Sequence, residues 1–235
     1  MLPTQTAPTY NTIIPSTEER IIFRPFLVKE EKALLLAQQS EDVNVMVDTI
    51  KQVLSDCIKS TIDVNKLAIF DIEYLFSQIR SKSVGEISEL IFRCDVCDDP
   101  KARVNIQFDL TKLKILKNPN HNKKVSLFDD VGVMMRYPTI NTVKRLESSD
   151  MSMDELFALI VDSIEYVYDG NEIYYTKEQT KEELIEFINN LTQEQFGKIQ
   201  QFFDTMPKLR QDVTYTCPVC GRVHNKYIEG IESFL

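Results

Sequence analysis

Four of the five cysteines in this 235-residue chain fall into two Cys-x-x-Cys pairs, Cys94 with Cys97 and Cys217 with Cys220. A tight turn between the members of such a pair turns both sulfurs to one side, so two pairs supply four thiolates to one tetrahedral zinc ion. A shell closed by four sulfurs has no open position for water or substrate. The ion it predicts is therefore structural and not catalytic.

The second pair is the more specific of the two. Pro218 follows its first cysteine and Gly221 its second, which gives a restricted φ inside the turn and a residue that accepts positive φ at its exit. Between the pairs lie 119 residues, so the metal fastens the end of the chain to its middle in a split zinc ribbon. Buried free thiols and a thioredoxin-type redox pair are the competing readings, and the latter wants a βαβ setting that neither pair has. His224, seven residues after Cys217, is a spare ligand that could replace a sulfur, but with four cysteines at hand it is expected to be solvated.

Elsewhere chemistry is sparse. The only other histidine, His121, sits in the polar run NPNHNKK and reads as a solvated loop residue. The acid pairs Asp98/Asp99 and Asp129/Asp130 read as solubilising surface. A glycine-rich phosphate loop, a GxSxG elbow and an HExxH helix are all missing from the sequence, and Gly numbers only 6. The expectation is a non-enzyme with no catalytic residues. A net charge of −9 opposes binding to phosphate backbones. The one basic cluster (Lys112, Lys114, Lys117, Lys123, Lys124) lacks interleaved aromatics on its face. No apolar run approaches the roughly 18 residues that cross a bilayer, and MLPTQTAPTY has neither part of a signal peptide, so the cytoplasm is the expected location. An odd cysteine count there favours metal over disulfides.

The elements that must position the cysteines are legible in the periodicity. Tyr10 to Ile14 and Arg20 to Phe23 flank a PSTE turn as a hairpin. Helical spacing predicts helices over VKEEKALLLAQQ from Val28, over 42–60 with Cys57 on the apolar face, and over FDIEYLFSQIR with Asp71 as N-cap. Near-alternation predicts strands around Cys94 and Cys97, as in Val104, Ile106 and Phe108, and a strand ending at Pro138. Helices are predicted at Ile140–Arg145, Met153–Tyr166 and Lys177–Asp204. Asp169 and Gly170 mark a turn, and a capping box at Thr192 splits the last helix. A final strand, cysteine turn and strand close the chain. The class is α+β, with an N-terminal helical region (1–83) and a β region organised around the split four-cysteine ribbon (84–235: strands in 88–138 and 213–231, inserted helices 140–204).

The segments FRPFLVKEEKALLLA at 23–37 and KLAIFDIEYLFSQIRSKSVGE at 66–86, with the CDVC and CPVC pairs, resemble the baseplate hub proteins of T-even-type contractile-tailed bacteriophages over nearly the whole chain. The resemblance implies a hub component or a chaperone-like hub assembly factor in virion morphogenesis, acting in the host cytoplasm or in the tail baseplate. Its partners would be other hub proteins, without nucleic acid or membrane, and self-association stays open. Only the four cysteines carry over, as metal ligands. A zinc-ribbon transcription regulator or nucleic-acid adaptor is the alternative, permitted by the ribbon and opposed by the acidic charge. The surplus of Ile185, Phe187, Ile188, Phe196, Ile199, Phe202 and Phe203 between Lys177 and Asp204 is read either as core or as a partner-binding face.

Overall fold

A computed structural model describes residues 6–97, 99–142 and 153–230, and it is α+β as expected. Contacts divide the chain into two units: 1–64, 70–116 and 208–235 form the first, and 65–69 with 117–207 form the second. The first helices and the C-terminal strands fall together in the first unit.

In the first unit, β1 (Tyr10–Ile13) and β2 (Arg20–Phe23) form the expected hairpin. Its turn is held by Asp71, whose carboxylate accepts from the Ser16 N–H at 2.9 Å and the Ser16 hydroxyl at 2.5 Å. Asp71 is therefore not the N-cap expected of it. The helix α3 (Ile69–Ser83) begins two residues earlier, and Asp71 is fully buried inside its first turn.

Helix α1 (Val28–Ser40) starts where Glu30 reaches back to the Leu27 N–H at 2.7 Å. The same carboxylate meets Arg24 at 2.8 Å, and both charges are buried. Desolvation alone would raise the Glu30 pKa. Hydrogen bonds from Arg24 and the Leu27 amide outweigh it and hold the pKa at about 2. Helix α2 (Val43–Cys57) is capped by Asp42, which accepts from Asn44 N–H at 2.8 Å, and it buries Val47, Ile50, Val53, Leu54 and Cys57. Cys57 is thus a core thiol. Burial pushes its pKa up to about 11, which makes it inert at neutral pH.

Two hairpins carry the cysteines. β3 (Ile87–Arg93) pairs antiparallel with β4 (Arg103–Asp109), and β10 (Lys208–Thr216) with β11 (Val223–Glu229). The short β5 (Ile115–Leu116) adds to β10 on its other side.

The second unit is a four-stranded antiparallel sheet in the order β6 (Lys124–Phe128), β7 (Val131–Met135), β8 (Ile164–Asp169) and β9 (Glu172–Tyr175). Helices α4 (Met153–Asp162), α5 (Lys181–Asn189) and α6 (Gln193–Thr205) accompany it. The helix expected to run to Tyr166 stops at Asp162. Ile164 to Tyr166 are strand because alternate β-branched and aromatic residues fit a pleated sheet better than a helix face. The turn at Asp169–Gly170 therefore joins two strands, with Gly170 at φ +56°. Thr192 forms the expected capping box with Gln195, and Thr180 forms a second one with Glu183, so α5 begins at Lys181 and not at Lys177. The helix expected at 140–145 begins at Ile140, and its remainder lies outside the described residues.

The core of this unit takes up the apolar surplus of the last helices. Ile188, Ile199 and Phe202 are buried among Leu127, Val133 and Ile164, while Ile185, Phe187, Phe196 and Phe203 pack partly buried against them. Of the two readings of that surplus, core is the one observed.

Candidate metal centre

The centre is built from the ends of the two cysteine hairpins. The chain leaves β3 at Cys94, turns through Asp95 and Val96 to Cys97, and returns at Ala102, where the Cys94 N–H donates to the Ala102 carbonyl at 2.9 Å. The second turn repeats the device between Cys217 N–H and the Arg222 carbonyl at 2.8 Å, and the Gly221 N–H closes on the Cys217 carbonyl at 3.0 Å. Gly221 has φ +71°, the positive value expected of the residue after the second cysteine. The Val219 N–H points at the Cys217 sulfur at 3.4 Å.

The structure brings Cys94, Cys97, Cys217 and Cys220 together, with their four sulfurs all within 4.8 Å of one another. The Cys94–Cys220 and Cys97–Cys217 sulfur separations are both 3.9 Å. A disulfide would need about 2.05 Å. A tetrahedral shell with metal–sulfur bonds of about 2.3 Å has sulfur–sulfur edges of about 3.8 Å, and the observed separations match that edge. The donor set thus fits a closed four-thiolate metal site. Cys217 and Cys94 are buried, Cys97 is half-buried and Cys220 is exposed. Crowding by the sulfur of Cys220, then burial and the sulfurs of Cys94 and Cys217, pushes the Cys97 thiol up to about 12. A divalent cation bound among the sulfurs would deprotonate the thiols that coordinate it.

His224 is not solvated, as expected from the sequence, but buried at 6% exposure. Its ring stacks on Tyr215 at 4.9 Å between centroids, and the Tyr215 hydroxyl donates to the Arg93 carbonyl at 2.8 Å. One ring nitrogen, Nε2, lies 3.2 Å from the Cys94 sulfur, and the other, Nδ1, lies 3.4 Å from the Asp95 carboxylate. Asp95 in turn meets Lys226 at 2.9 Å, and this hydrogen bond holds its pKa below the usual range. The imidazole shows a different nitrogen to each neighbour, so it bridges Cys94 and Asp95. It stands beside the four-sulfur group, next to Cys94. The alternation of β11 carries the signal that sequence reasoning missed, since His224 and Ile228 fall on the same inward face.

His121 is likewise not a free loop residue. It contacts the Thr205 hydroxyl at 3.0 Å and the Tyr137 hydroxyl at 3.1 Å, and it lies against the rings of Tyr137 and Phe202. Burial, and to a lesser degree Lys123, lowers its pKa. Two of the five clustered lysines do meet aromatics: Lys123 covers the Tyr137 ring at 4.3 Å and Lys124 the Tyr168 ring at 4.6 Å. The ammonium groups occupy those ring faces. Asp98 lies outside the described residues. Among the described residues no helix is long and apolar enough to cross a membrane.

A family model described as T4 bacteriophage base plate protein matches residues 7–235. Comparisons with curated proteins and with solved structures give no match.

Proposed function

We infer the function from the premise that this chain belongs to the T4 bacteriophage base plate protein family, and propose that it is a non-enzymatic baseplate hub subunit or hub assembly factor with one structural zinc ion. The family match over nearly the whole chain is the observation that carries this reading. Its partners are then other baseplate proteins, and its place is the assembling or finished tail baseplate.

Zinc is the metal proposed because four thiolates at tetrahedral spacing, closed to further ligands, are a structural zinc donor set. The ligands are Cys94, Cys97, Cys217 and Cys220. The role of the ion is to tie the β10–β11 hairpin to the β3–β4 hairpin, with Tyr215 and His224 packed behind it. The same closure leaves the ion itself without a catalytic role.

Co-expression with baseplate hub proteins tests the assignment. Co-purification that survives moderate salt is the expected result. A chain that stays alone with every hub protein, yet retains DNA at physiological salt, would overturn it.

A further inference from the structure

The four-stranded sheet of the second unit has two edges, and they are treated differently. On the β6 edge a bulge displaces Leu127 from the ladder between Ser126 and Phe128, and Lys198 of α6 donates to the Leu127 carbonyl at 2.8 Å. A bulge and a lysine are both devices that stop a strand from being extended. The β9 edge has neither. Its four residues pair with β8 on one side, and among the described residues no strand follows on the other. Alternate residues of an edge strand direct N–H and C=O outward, where they form a template for another strand.

The side chains of β9 are exposed on both faces of the sheet: Ile173 at 49%, Tyr174 at 41% and Tyr175 at 39%. An added strand would therefore find apolar and aromatic surface on either side of its backbone. The charge along this hairpin is mostly negative, with four acids against Lys177. Glu165, Asp169, Glu172 and Glu178 on the hairpin and the turn after it are all exposed. Lys177 is already engaged, over the Tyr175 ring at 5.1 Å and beside Glu178 at 3.8 Å.

We propose that the outer edge of β9 is a docking site for an extended, lysine- or arginine-bearing segment of another polypeptide, which joins the sheet as a fifth strand. Backbone hydrogen bonds supply the affinity, Ile173, Tyr174 and Tyr175 supply side-chain contact, and the acidic surround selects for positive charge. A second copy of this chain does not fit. Its own β9 brings the same carboxylates, and its β6 edge is blunted. The inference stands without the baseplate assignment and concerns a surface remote in sequence from the cysteines.

The full chain, isotope-labelled, is titrated with a short synthetic peptide of alternating lysine and valine, and amide resonances are followed. Saturable shifts centred on Glu172–Tyr175, with slowed amide exchange there, are expected. Binding should weaken about tenfold for Ile173→Lys, which adds a repelling charge to an exposed position. The same loss is expected for the unaltered protein with a peptide N-methylated at alternate residues, which keeps the charge and removes the ladder. Shifts that stay absent to saturating peptide, affinity unchanged by N-methylation, or β9 shifts that depend on protein concentration alone would overturn the proposal. Failure here leaves hub binding by co-expression untouched, and success does not depend on it.

Discussion

The phenol of Tyr168 fills the space that a side chain at Gly132 would occupy. The two residues face each other across the β7–β8 ladder, and a Cβ at 132 would run into the Tyr168 ring and hydroxyl and into the Val125 carbonyl. The ring could turn away, but the backbone of β6 cannot move cheaply. Lys124 lies over the same ring, 4.6 Å from its centroid.

Gly132→Ala is therefore expected to destabilise the protein by about 1–3 kcal/mol, as overpacking does. Gly197→Ala is its control, since nothing lies within 4 Å of a Cβ there and alanine favours a helix by about 0.5–1 kcal/mol. Urea midpoints compare the two. Equal stability for Gly132→Ala and the parent protein would show that β7 and β8 do not pack as described.

Glu73 offers a test by pH. It is 8% exposed on α3, and burial pushes its pKa up to about 8, with Glu229 acting the same way and Lys208 opposing. Lys208 and Glu229 themselves pair at 3.5 Å. Between about 4.5 and 8 the folded chain keeps a proton that the unfolded chain has released, so this group lowers stability as pH rises through that window. Glu73→Gln should remove that loss and raise stability at pH 7 by an amount on the order of 2–3 kcal/mol. Denaturation at pH 5 and pH 8 checks it. A variant that keeps the parent's pH slope would contradict the placement.

Much of this was legible in the sequence, because its signals were local. The first three helices, the Thr192 capping box and the positive φ of Gly221 each follow from residues within a turn of one another. The convergence of the cysteine pairs across 119 residues was readable only because four thiols share one use. What escaped was settled by tertiary packing. The stretch after Asp162 reads equally as helix until β7 is there to pair with it. Asp71 reads as a cap until Ser16, far away in sequence, comes to its carboxylate. His224 reads as solvated until Tyr215 covers its ring.

Removal of the metal should be felt locally. Chelation is expected to speed hydrogen exchange at 94–102 and 213–229 well before 43–57, because the proposed ion would fasten the two cysteine hairpins while α2 is held by its own buried face. Exchange that rises equally in both segments would show one cooperative unit instead.

The central claim, a single structural ion held by both cysteine pairs, is tested most directly by elemental analysis of protein purified without chelator. The account predicts one zinc per chain, and near zero for the Cys217→Ser, Cys220→Ser double variant, which leaves Cys94 and Cys97 in place. Zinc near zero in the parent protein, or full occupancy in the double variant, would contradict it.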